Sequence, residues 1–206
     1  MLDTPSVPLP ALSAEAQVVI AAIARRRSFG LKDLRPDPVP LPYVELMLEA
    51  ANWAPTHGRT EPWRFVVYHG AGRGALGETF AAAYRLGTPP EQQTSAAEAA
   101  QRDRVWQAPV WIAVGAALGT NPRIPEVEEI MAVASAVENA LVAGAALGLG
   151  SKWTTGLAAV HPLTAAFAGF APPVRLLGFV YAGWPAIPWP AGTRRPLALK
   201  VRWVGE

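Results

Sequence analysis

The chain has 206 residues, 51% of them hydrophobic and 17% charged, a length and composition that suit one domain with a large core and exclude a disordered chain. With no cysteine it holds no disulfide, thiol nucleophile or thiolate-bound metal, and a net charge of only +2 argues against a nucleic-acid partner.

Residues 1–12 read as an extended, Pro-rich arm, and residues 13–206 as the domain proper. Ser13 is placed to cap a helix from about Ala14 to Arg27, with Val18, Val19, Ala22 and Ile23 on one stripe. The prolines from Arg35 to Pro42 predict a loop. A second amphipathic helix follows, from about Tyr43 to Trp53, stopping before Pro55. The run WRFVVY, Trp63 to Tyr68, predicts a buried strand. Two alanine-rich helices are expected over 75–86 and 91–107, then a strand over 109–115. Pro125 is expected to open the longest helix, to about Leu147, with small residues on more than one face and hence a central, buried place. Gly148 and Gly150 end it, Ser151 to Gly156 reads as a polar loop, and a short helix near 161–167 precedes a strand over 174–182. The tail from Gly183 is rich in Pro and Trp. Helices interleaved with three or four strands imply an α+β or mixed α/β fold with one sheet between helical layers.

No segment reaches the ~18 uninterrupted apolar residues of a membrane span. The first residues carry an early acid and no basic run, so the expectation is no secretory signal and a cytoplasmic protein. His57, His69 and His161 lack ligand spacing, which argues against a metal site.

Gly70-Ala-Gly-Arg-Gly-Ala after a strand imitates the dinucleotide-binding turn. A second helix intervenes before the next strand, and that strand ends without an acid for a ribose, so a Rossmann unit is rejected.

Four other segments carry more chemistry. Arg25-Arg26-Arg27-Ser28 closes the first helix, either as a solvated basic turn or as guanidinium forks and a hydroxyl able to clasp an anion. Ala54-Pro-Thr-His-Gly-Arg-Thr-Glu-Pro-Trp63 is a polar loop between two rigid elements, where binding groups accumulate. Gly148 to Gly156 (GLGSKWTTG) combines glycines for close backbone approach with hydroxyls and an indole. Arg194-Arg195-Pro-Leu adds two cations near the C-terminus.

These four pieces, in this order and with the strand RLLGFVYAG, resemble the nitroreductase family over roughly residues 15–203, in particular its short, single-module NAD(P)H nitroreductases. The resemblance implies a nitroreductase-like α+β fold, with a central, mostly antiparallel sheet between helices. It also implies an intertwined homodimer with two FMN sites at the subunit interface. It assigns the FMN phosphate and ribityl chain to Arg26, Arg27 and Ser28, and adds a C-terminal arginine, Arg195 in preference to Arg194. It places Trp53 and His57 on flavin, partly from the other subunit, and Trp153, Thr154 and Thr155 beside the isoalloxazine. Two departures stand out. Glu61 precedes Pro-Trp where an amide is frequent, and Thr154 stands where relatives can carry a base; both bear on substrate preference and redox potential. The implied activity is ping-pong transfer of hydride from NAD(P)H through FMN N5 to a nitroaromatic or quinone-like acceptor. The chemistry resides in the cofactor, so no nucleophile or paired carboxylates are required. For His57, proton delivery and ordinary loop hydrogen bonding both remain open. The alternative is a non-catalytic flavin-binding or sensor protein on the same site. Obligate dimers carry apolar surface to their interfaces, which would account for a chain 51% hydrophobic and only 17% charged.

Overall fold

Ser13 caps the first helix as expected, its hydroxyl accepting from the Ala16 N–H at 3.2 Å. The computed structural model describes residues 11–205, so the expected N-terminal arm lies outside the described residues except for its last two. Helix α1 runs Ala14–Arg25, two residues short of the expected Arg27, and buries none of its side chains. Val18, Val19, Ile20 and Ile23 are all more than half exposed.

A two-residue strand, β1 (Leu34–Arg35), forms at the start of the proline stretch read as loop. Helix α2 spans Leu41–Asn52, beginning earlier than Tyr43 because Pro42 fits a first helical turn. Strand β2 (Trp63–His69) leads into α3 (Arg73–Gly87). The single helix expected over 91–107 is instead α4 (Ser95–Asp103), capped by Thr94, with tighter 3₁₀ turns at 90–92 and 104–107. Strand β3 (Val110–Ala117) and helix α5 (Glu126–Ala146) follow, Pro125 serving as N-cap and not as the first helical residue.

The expected loop at 151–156 is corrected: Gly150–Thr154 is strand β4. Gly-Ser-Lys has little intrinsic preference for strand, and the pairing partner supplies what the local sequence lacks. The short helix expected near 161–167 is α7 (Pro162–Phe167), preceded by an unexpected one, α6 (Leu157–Val160), and β5 (Val174–Pro185) runs three residues further than predicted.

All strand ladders are antiparallel. Strand β5 is central: β3 lies along one side of it, while β4 and β1 follow each other along the other, and β2 closes the far edge beyond β3. The sheet therefore has five strands, where three or four were expected. The antiparallel β2–β3 pairing leaves no parallel crossover, which bears out the rejection of a Rossmann unit.

Period-two alternation divides the side chains between two cores. Val110, Ile112, Val114 and Ala116 of β3 point to α2 and α5, with Met47 and Val137. Trp111 and Ala113 point the other way, to the α3, α6 and α7 layer, with Phe80, Phe179 and Tyr181. Phe80 meets Trp111 and Phe179 edge-on, at centroid distances of 5.7 and 5.2 Å. Buried aromatic pairs of this geometry favour one packing over its alternatives. Helix α5 has the length and apolarity of a membrane-crossing helix, but half of that stretch is buried against α2 and the sheet.

Candidate functional site

Beyond Arg25 the chain turns extended and lays Arg26–Gly30 along the outer edge of β4. The Phe29 N–H donates to the Ser151 carbonyl at 3.1 Å, and Ser28 bridges Ser151 in parallel. Gly150 permits this approach, since a β-carbon there would lie 2.7 Å from the Phe29 ring and 2.8 Å from Leu34. From the other side, the buried Tyr181 hydroxyl donates to the Phe29 carbonyl at 2.9 Å. Burial pushes the Tyr181 hydroxyl up to about 12, with the Arg104 charge acting against this. The segment is thus held at both its N–H and its C=O. Strand alternation then puts the next outward backbone pair of β4, the N–H and C=O of Trp153, on the same edge, past the single bridge.

Arg26 lies with its Nε 3.0 Å from the Glu138 carboxylate of α5, an ionic approach without hydrogen-bond alignment. The Ser28 side chain is exposed. Arg27 points elsewhere: its guanidinium donates to the carbonyls of Pro190 (3.0 Å), Ala24 (2.6 Å) and Arg26 (2.8 Å). The Trp189 indole N–H donates to the Arg25 carbonyl at 2.7 Å, under the Arg25 guanidinium. Arg27 and Trp189 therefore clasp the tail to the end of α1. Arg194 and Arg195 follow on exposed backbone without an acidic partner among the described residues. Trp153 packs on the core shared with α5, and its indole N–H is buried without an acceptor among the described residues. Thr154 is half-buried and Thr155 exposed.

The loop before Pro62-Trp63 is tightly turned. Gly58, Arg59 and Glu61 all have positive φ (61°, 56° and 45°), and only the first is the residue suited to it. Thr56 and Thr60 close the loop through their hydroxyls at 2.9 Å, and Ile124 packs where a Gly58 β-carbon would stand. His57 Nδ1 meets the Glu128 carboxylate of α5 at 2.5 Å. These two, with Thr56, Met131 and Ser135, line a cavity of about 320 Å³. Trp53 at the end of α2 is 80% exposed and donates to Glu49 at 3.0 Å. A larger apolar cavity, about 820 Å³, lies between Leu118, α7 and the start of β5, and contains no residue predicted for the site.

Within one chain, Arg26, Arg27, Ser28 and Trp153 gather at the β4 edge, with the tail clasped beside them. Trp53 and His57 sit apart. The two groups are joined by one face of α5, on which Glu128, Met131, Ser135 and Glu138 recur at helical spacing. Ten residues separate Glu128 from Glu138, about 15 Å along the axis. Sequence reasoning missed both glutamates. The spacing of His57 and Arg26 gives no hint of them, because each meets its partner only through the tertiary placing of α5.

The model of the nitroreductase family matches residues 23–184. The Escherichia coli protein named "Putative NAD(P)H nitroreductase YdjA" is 29% identical over 144 residues, spanning 70% of this chain and 76% of its own. A nitroreductase-like family protein from Bacillus cereus superposes with a TM-score of 0.76 at 22% identity, over 95% of this chain and 98% of that one. A Desulfovibrio desulfuricans protein, solved as "a putative nitroreductase in complex with FMN", gives a TM-score of 0.68 at 28% identity, over 91% and 96% of the two chains.

Proposed function

Since the chain belongs to the nitroreductase family, we propose that it is an FMN-dependent NAD(P)H oxidoreductase, acting as a homodimer on nitroaromatic or quinone-like acceptors in ping-pong order. The observation that carries this reading is the meeting of Arg26 and Ser28 with an open stretch of the β4 edge. A cation and a hydroxyl beside a backbone N–H and C=O without a partner among the described residues suit a ligand with an anionic end and a planar, amide-like ring. The FMN named for the Desulfovibrio structure and the NAD(P)H named for the E. coli relative support it.

The donor set fits FMN. The Arg26 Nε is buried and lacks a hydrogen-bond partner among the described residues. Arg26 and Ser28 would hold the phosphate, joined by Arg195 or Arg194 from the tail, and Arg27 keeps that tail in reach. Glu138 keeps the Arg26 guanidinium on α5. The Trp153 backbone would read the flavin's imide edge, with Thr154 and Thr155 beside the ring. Bound there, FMN supplies the hydride chemistry between NAD(P)H and the acceptor. The exposed apolar side of α1, and Met131 on α5, support a second copy as the cover that brings Trp53 and His57 to the other site.

The test is the visible spectrum of the purified protein after FMN addition and desalting, followed by NADH and NADPH oxidation with menadione or nitrofurazone. Bound flavin and acceptor-dependent turnover are expected. No flavin uptake overturns the proposal. Flavin without turnover favours the non-catalytic flavin protein.

A further inference from the structure

Reduction of either acceptor class consumes a proton along with each hydride. A quinone plus hydride plus one proton gives the hydroquinone. A nitro group plus hydride plus one proton gives the nitroso compound and water, with one N–O bond broken. The hydride originates on NAD(P)H; the proton needs its own donor.

The polar loop before β2 supplies a candidate. His57 is its one imidazole, and its Nδ1 is engaged by the Glu128 carboxylate at 2.5 Å. A carboxylate at Nδ1 holds the proton on that nitrogen and leaves Nε2 to exchange protons with a ligand. The pair is half-exposed and lines the 320 Å³ cavity with Thr56, Met131 and Ser135, a space for a small molecule with apolar and hydroxyl contacts. The loop is over-determined around it: Arg59 and Glu61 hold costly positive φ values, the Thr56–Thr60 bond ties its ends, and Ile124 seats Gly58. Backbone strain retained in a polar loop marks a place where position matters more than stability.

From this geometry we infer that His57 is the proton donor to the acceptor, and that Glu128 is its positioning residue. In each turnover the imidazolium form of His57, its Nδ1–H held by Glu128, gives its Nε2 proton to the acceptor oxygen as hydride arrives, is left as the neutral Nδ1–H ring, and recovers an Nε2 proton from solvent. The inference rests on the oxidoreductase reading, and it places the acceptor over the α5 face that carries Glu128, Met131 and Ser135.

Two measurements test it. In FMN-free protein labelled with ¹⁵N-histidine, long-range ¹H–¹⁵N spectra should show the neutral His57 ring protonated at Nδ1, and Glu128→Gln should abolish that preference. In FMN-loaded protein, stopped flow separates flavin bleaching by NADPH from its reoxidation by menadione. His57→Gln should slow reoxidation about 100-fold, the scale of general acid catalysis, and slow bleaching far less. Added imidazole should restore part of the reoxidation rate, and Glu128→Gln should give a smaller loss in the same step. Equal slowing of both steps without imidazole rescue would make His57 a loop brace and overturn the inference. So would a neutral ring protonated at Nε2 in the FMN-free protein. Failure to take up FMN at all is read directly from the spectrum, and overturns the oxidoreductase reading together with the inference built on it.

Discussion

Arg26 and Arg27 are adjacent in sequence and have different work. Arg27 directs its donors to three backbone carbonyls, whereas Arg26 has, among the described residues, only the imperfectly aligned Glu138 and keeps donors for a ligand. Replacing Arg26 and Ser28 together by alanine should therefore weaken FMN binding. The loss of charge-assisted bonds worth about 1.5–3 kcal/mol corresponds to roughly 10- to 100-fold, read by flavin fluorescence titration. Unchanged affinity would move the phosphate elsewhere. Tyr68 tests the core in the opposite sense. Its hydroxyl is buried without a partner among the described residues, and burial pushes it up to about 12. Tyr68→Phe should be neutral or stabilising by up to about 1 kcal/mol in urea unfolding, because no bond is lost and a desolvated dipole is removed. The pH dependence has a definite sign. The fold favours the neutral phenols of Tyr68 and Tyr181, so their contribution is full below the ordinary tyrosine value near 10 and is lost as pH rises toward 12. Tyr68→Phe should make that alkaline decline shallower.

At the scale of elements, periodicity and capping made most of the fold legible. Ser13, the WRFVVY run and the small-residue helix all appear where their local chemistry puts them. Strand β4 was not legible, since Gly150-Ser-Lys carries no strand signal and becomes one only by lying between β5 and the Arg26–Gly30 segment. The candidate site divides in the same way. The arginines, Ser28 and His57 stand out as motif residues. Glu128 and Glu138 look like ordinary surface charges until α5 is placed against the loop and α1. Helix α1 carries the clearest prediction of this kind. Its apolar stripe, including Val19 and Ile23, faces outward and has nothing to cover it among the described residues. Val19→Asp with Ile23→Asp should convert the proposed dimer to a monomer in sedimentation velocity. A variant of unchanged mass would place the interface elsewhere.

For the whole molecule, the tail closes a circuit. Trp189 and Arg27 fasten residues 189–190 to the end of α1, so the two ends of the domain meet at the proposed phosphate site. Of the described residues beyond, 191–205, all but the half-buried Val201 are exposed, and they add little to the core. A chain ending at Pro190 should keep its secondary structure by circular dichroism. It should bind FMN more weakly and with a shallower dependence on salt, having lost Arg194 and Arg195. Salt dependence equal to that of the full chain would exclude the tail from the phosphate.

A twelve-residue helix without a single fully buried side chain is close to the length at which helices in water are marginal. Whatever covers α1 therefore also decides how firmly its end anchors the extended segment that carries Arg26 and Ser28. If that cover is a second copy, assembly and cofactor retention are thermodynamically linked, and each must strengthen the other by the same factor. Dilution alone would then release flavin, and added FMN would hold the subunits together.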